Sequence, residues 1–132
     1  MKPEINGIHR ELRRVSAADV AVATKAVLRA AERLGLSNKV LAKVIGVSEA
    51  TVSRMSAGSY QLARGEKPFE LALLFVRLFR SLDAIAGGDE TVSTVWMRSE
   101  NLALGGTPLT LIQSIPGLVH VLAYLDARRS LA

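Results

Sequence analysis

Among the 132 residues there is no cysteine, which excludes a disulfide framework and thiolate metal sites and fits a reducing interior. Long apolar runs are missing too. The longest, Leu71 to Val76, is cut by Arg77 and is far too short to cross a bilayer. The opening stretch, MKPEINGIHRELRRV, lacks the apolar h-region of a secretory signal, so a soluble, cytoplasmic protein is expected. Histidine is scarce. His9 lies in a polar N-terminal stretch and His120 in an apolar C-terminal one, with no ligand cluster beside either, so no metal site is expected. Serines are plentiful, yet none sits in a G-x-S-x-G elbow, and Leu104-Gly105-Gly106-Thr107-Pro108 lacks the GK[ST] of a phosphate loop. Neither an enzyme nor a cofactor is expected. Sustained period-two alternation, internal repeats and low-complexity segments are also absent, which points to an all-α fold.

What is present centres on Asn38 to Met55, NKVLAKVIGVSEATVSRM. Ala42 falls where a second helix would cross closely and a larger side chain would clash. Gly46 follows four residues later, at the turn, where a positive φ suits glycine alone. Val47 and Val52 are placed to join two helices, with Leu41, Ile45 and Met55 completing the apolar face, and Ser48 is placed to cap the second helix. This spacing predicts a helix-turn-helix that sets a helix into the major groove of DNA. Ser48, Glu49, Ala50, Thr51, Ser53 and Arg54 then stand at the start of the recognition helix, where base edges are met. Arg54 suits a bidentate guanine contact and Thr51 a thymine methyl. Lys39 and Lys43, on the preceding helix, suit phosphates. The plainer alternative is a motif kept only for packing.

Charge is divided unevenly. Residues 1–66 hold 11 Lys/Arg against 6 Asp/Glu, whereas residues 67–132 hold 6 of each. The whole excess of +5 lies in the half with the helix-turn-helix, which phosphate binding and counterion release favour.

Caps and breakers divide the rest. A basic arm spans 1–15, with Arg10, Arg13 and Arg14. Ser16 to Asp19 resembles a capping box, opening a helix to about Leu34 that Gly35 ends. Helices are expected over about Asn38–Ile45, capped by Ser37, and Glu49–Ala57, completing a DNA-binding lobe over 16–66. A helix over about Pro68–Ala86 is apolar almost all round, with a narrow polar stripe of Glu70, Arg77, Arg80 and Ser81. Such a helix is buried on more than one side, either between two lobes or partly at a subunit interface. Asp89 is placed to cap a short helix bearing Trp96, which reads as a core anchor. Thr107 is placed to cap another from Pro108 to about Gln113, and a last helix covers about Pro116–Arg129. Residues 67–132 form the second lobe.

That second half carries Trp96 on a short helix, Asn101 with Leu102, the run Leu104-Gly105-Gly106-x-Pro108-Leu109, and Gly117 opening a final apolar helix. Following an Xre-type helix-turn-helix, this order resembles the toxin-binding domain of the Xre/MbcA/ParS antitoxins, over about residues 36 to 127. Two departures stand out. Thr91-Val92-Ser93 replaces the proline common before the Trp helix, and Asp126-Ala127-Arg128-Arg129-Ser130-Leu131-Ala132 replaces an aromatic-glycine ending. The resemblance implies a RES-domain toxin that depletes NAD as partner, occluded by this chain, and operator DNA bound by the helix-turn-helix. It implies a toxin-binding surface from Trp96, Asn101, Leu104, Gly105, Gly106, Pro108, Tyr124, Arg128 and Arg129. A homodimer that assembles with toxin into a larger complex is expected, since helix-turn-helix proteins commonly read paired half-sites. The competing reading is a phage-type repressor whose C-terminal half only dimerises or senses a ligand.

Overall fold

The computed structural model describes residues 19–131. The arm expected over 1–15 and the Ser16 end of the capping box lie outside the described residues. Among them every regular element is a helix, with one isolated β-bridge between Asn101 and Gly106. The first helix, α1, is described from residue 19 to 33, and its inner stripe of Ala23, Val27, Ala30, Ala31 and Leu34 is buried. The small alanines let neighbouring backbones approach this stripe. At its end the amides of Gly35 and Leu36 donate back to the Glu32 and Ala31 carbonyls at 3.0 and 2.8 Å, closing off the groups that a helix terminus leaves unpaired.

The next two helices, α2 (Asn38–Ile45) and α3 (Glu49–Ser56), form the helix-turn-helix. Ser37 and Ser48 cap them, accepting from the Val40 and Thr51 amides at 3.2 and 3.0 Å. Each such cap stabilises its helix by about 1 kcal/mol. Gly46 turns the chain at φ 74°, with its own amide and that of Val47 both returning to the Ala42 carbonyl. Leu41, Ala42, Ile45, Val52 and Met55 are buried as the spacing predicts, and Val47 packs half-buried against them.

The longest helix, α4 (Lys67–Ile85), packs against α2 on one side and against α5 (Glu90–Arg98) and α7 (Ile115–Leu131) on the other. Its double burial follows from Phe69, Leu71, Ala72, Phe75, Val76, Leu78 and Leu82, all buried. Each large apolar side chain taken from water here contributes about 1.5–3 kcal/mol. The expected polar stripe needs one correction. Glu70, Arg77 and Arg80 face solvent, but Ser81 is fully buried, because Asp126 of α7 reaches in and accepts from its hydroxyl at 2.8 Å.

A tight loop and a short helix, α6 (Pro108–Leu111), connect α5 to α7. Thr107 does not cap α6 through its side chain, contrary to expectation. Its backbone carbonyl accepts from Thr110 and Leu111, and Pro108 at the first helical position has no amide to satisfy. Gly117 is required for a different reason. A Cβ there would collide with the Leu111 carbonyl, so only glycine lets the first turn of α7 lie against the end of α6. Ser114 accepts from the Gly117 amide at 3.2 Å in the same tight turn.

Two ties hold the second half to the first, from Arg98 and Arg33, and a third, from Thr24, fixes the loop after α3 to α1. Arg98 donates to the Leu34 and Gly35 carbonyls at 3.2 and 2.7 Å, placing a cation at the C-terminus of α1, where the helix dipole favours it. Thr24, buried on α1, accepts from the Leu62 amide at 3.1 Å and donates to the Val20 carbonyl, so the loop after α3 is pinned without an orphaned polar group. Arg33 pairs with Asp83 of α4 at 3.7 Å.

Candidate functional site

Two surfaces hold the residues that the sequence singles out. On the helix-turn-helix, Lys39, Lys43, Glu49, Ala50, Ser53 and Arg54 are all exposed. Lys39 and Lys43 stand four residues apart on α2 and therefore share a face. Thr51 is half-buried, and its hydroxyl lies 2.8 Å from that of Ser48 and accepts from Arg54 Nη2 at 3.2 Å. The Ser48 cap, Thr51 and Arg54 thus form one polar chain from the cap of α3 to its last turn. It holds the guanidinium close to the helix, which lowers the side-chain freedom lost on meeting a partner. Asn38, which sequence reasoning did not single out, donates its amide to Ser53 Oγ at 3.5 Å and bridges the start of α2 to the middle of α3. Tyr60, in the loop after α3, lies half-buried against the core.

The second surface is built from α5, α7 and the end of α4. Trp96 and Tyr124 stack with ring centroids 6.4 Å apart and planes 14° from parallel. Offset stacks of this kind add about 0.5–1.5 kcal/mol beyond their buried area. Arg128, one turn beyond Tyr124, lays its guanidinium 5.6 Å from the tyrosine ring centre and donates to the phenol at 3.3 Å. These three side chains, with Ile85, Val92 and Leu125, line a cleft of about 140 Å³. Val92 and Val95 are more than half exposed or nearly so, at 50% and 59%, which extends the apolar surface along α5. It is an aromatic and aliphatic patch edged by one cation.

The glycine loop is a closed unit beside it. Asn101 and Gly106 form an antiparallel bridge, and the amides of Gly105 and Gly106 both donate to the Asn101 carbonyl. The Asn101 side chain accepts from the Leu104 amide at 3.2 Å. Leu104 is buried, its carbonyl 3.3 Å from His120 Nε2, and Pro108 is buried as well. Asn101, Leu104, Gly105, Gly106 and Pro108 therefore shape the loop, and Leu102 at its tip projects with 94% exposure. Its apolar identity serves nothing within the fold.

The two terminal arginines part company. Arg128 belongs to the aromatic cleft, whereas Arg129 turns toward α4 and lies 3.5 Å from Ser81 Oγ. Val92, Val95 and Leu102 were missed at the sequence level because an apolar residue in a short helix or loop gives no sign there of facing outward.

Comparison with known families gives two matches. The antitoxin Xre-like helix-turn-helix domain matches residues 13–77, and the antitoxin Xre/MbcA/ParS C-terminal toxin-binding domain matches residues 81–130. No curated relative matches the chain.

Proposed function

Because the chain belongs to the Xre/MbcA/ParS antitoxin family, we propose that its partner is a RES-domain toxin that depletes NAD, that it silences this toxin by covering the active site, and that it represses their shared operon through the helix-turn-helix. The observation that carries the toxin-binding part is the patch of Trp96, Tyr124 and Arg128 with the exposed valines of α5, which lies within the half matched by the toxin-binding domain. An aromatic anchor with an arginine at its edge is the composition that dominates binding energy at protein interfaces. Arg128 is the terminal arginine that reaches an acidic or phosphate-binding pocket of the toxin, since it stands beside the aromatic pair while Arg129 is turned toward α4. Operator reading rests on Glu49 to Arg54 with Lys39 and Lys43 on phosphates, and a homodimer presents two such helices to paired half-sites. Domain division follows the same logic, with a DNA-binding lobe over 16–66 and a toxin-binding lobe over 67–132.

The test is co-expression with the product of the neighbouring gene while cellular NAD is followed. The expected result is that this product alone drains NAD and stops growth, and that the antitoxin restores both and co-purifies with it. A product that is toxic without touching NAD, yet is bound and relieved, would overturn the RES assignment and leave the antitoxin role. A neighbour that is neither bound nor relieved would favour the phage-type repressor.

A further inference from the structure

Between α1 and α4 runs a trough that neither surface above uses. It consists of two adjoining hollows of about 370 and 620 Å³ that share Val22, Ala26, Val76 and Arg80. Its floor is apolar: Val22 is 65% and Leu73 47% exposed, beside Ala26, Val76 and Phe79. Cations line its edges. Among the described residues Lys25, Arg29 and Arg80 form no ion pair, and Arg129 reaches the trough from α7. Asp19, the one acid among the lining residues, is already engaged with Arg64. An exposed aliphatic floor between helices, edged by cations of one sign, fits an amphipathic helix laid along a groove.

Charge selects the occupant. A second copy of this chain, docked by the same face about a two-fold axis, would bring the cationic edges of the two troughs, Lys25, Arg29 and Arg80 of each, against one another, which is unfavourable. Residues 1–18 carry Lys2, Arg10, Arg13 and Arg14 against Glu4 and Glu11, the same sign as the trough. Nucleic acid would meet the cations but has no apolar face for Val22 and Leu73. We propose that the trough between α1 and α4 is a docking site for an acidic amphipathic helix of a partner protein, its leucine-like face on Val22, Leu73 and Val76 and its carboxylates on Lys25, Arg29 and Arg80. The site stands apart from the toxin surface on α5 and α7. Because α1 belongs to the helix-turn-helix half and Arg129 to the last helix, one ligand here touches both halves of the antitoxin at once.

The experiment uses the full chain and a fluorescein-labelled, stapled peptide with leucines at i, i+3, i+4 and i+7 and glutamates on both flanks, read by anisotropy. A twin peptide carries lysines in place of the glutamates. The glutamate peptide is expected to bind and the twin to fail. Val22→Ser, which leaves charge untouched, and Arg80→Glu are each expected to weaken binding by about tenfold or more. Both sites are exposed, so unchanged melting of the variants confirms that the fold is kept. Equal binding of the twin, or of the glutamate peptide to Val22→Ser, would overturn the proposal, because electrostatic adhesion or plain apolar contact would then account for it. So would a wild-type dimer that the pair Val22→Ser, Leu73→Ser converts to monomer in sedimentation, which would make a second copy the occupant. A tenfold gain in peptide affinity on Ile8→Ser would likewise overturn it, by showing that the chain's own N-terminal segment fills the trough.

Discussion

Ser81 donates its hydroxyl to Asp126 Oδ1 at 2.8 Å, joining the buried side of α4 to α7. Arg77 pairs with the other oxygen of the same carboxylate from the exposed side. One carboxylate thus fixes the last helix on the central one from two directions. The exposed ion pair contributes little, since Arg77 is 63% exposed. The hydrogen bond inside should dominate. Ser81→Ala leaves Asp126 Oδ1 without its partner and is expected to cost about 1–2 kcal/mol, read as a lower urea midpoint at unchanged slope. Arg77→Ala is expected to cost less than about 0.5 kcal/mol. If the two losses prove equal, the buried hydroxyl is not what holds α7.

How much of this was legible in the sequence depends on how far apart the interacting groups lie. Ser37, Gly46 and Ser48 act on amides or carbonyls no more than four residues away, so their roles in the helix-turn-helix could be read directly. Ser81 reads as part of a solvent stripe, because a serine among apolar neighbours looks like the wet face of a helix. Its partner sits 45 residues on, and nothing local announces it. The same holds for Thr24 with Leu62, 38 residues apart, and for Arg98 with Gly35, 63 apart. In the second half, Trp96, Tyr124 and Arg128 could be named from the family resemblance, but the stacking that makes them one patch is tertiary. Leu104 and Pro108, expected at the toxin surface, lie buried, while Leu102, two residues before Leu104 and named only as part of a motif, is exposed.

Gly117 tests the close approach of α6 and α7. Alanine usually favours a helix interior over glycine by about 1 kcal/mol. Here the added methyl meets the Leu111 carbonyl, which belongs to backbone and cannot swing aside. Gly117→Ala is therefore expected to lose about 3 kcal/mol in place of the usual gain, with the loss seen in thermal or urea melting. A neutral or stabilising result would mean that the turn Leu111–Gly117 relaxes freely.

On the DNA face, Arg54 and Lys43 should fail differently. Arg54 is held by Thr51 in the last turn of α3, the helix proposed to read base edges. Arg54→Ala is expected to weaken operator binding by about 1–3 kcal/mol and to narrow the gap between operator and random DNA. Lys43→Ala, on α2, should weaken both DNAs alike and lower the salt-dependence slope by about one. Titrations of operator and scrambled duplex across a salt series separate the two. Wild-type protein that binds neither duplex would make the motif a packing device, and equal binding of both would remove its role in reading sequence.

The two arginines that end α7 offer the sharpest test of the toxin surface. They are adjacent in sequence and alike in charge, so composition and helix-dipole effects treat them the same. Geometry does not. Arg128 lies over the Tyr124 ring beside Trp96, on the aromatic patch. Arg129 points across to Ser81 and the trough on α4. Arg128→Ala is expected to weaken binding of the cognate toxin by about tenfold or more, roughly 1.4 kcal/mol, measured by calorimetry. Stability should change by less than about 0.5 kcal/mol, because the side chain is exposed. Arg129→Ala should leave toxin affinity within about twofold, a difference of less than 0.5 kcal/mol. The opposite ranking would move the docking surface from the Trp96–Tyr124 face to the α4 side of the last helix. Equal losses would mean that the toxin reads the charge of the tail and not its geometry.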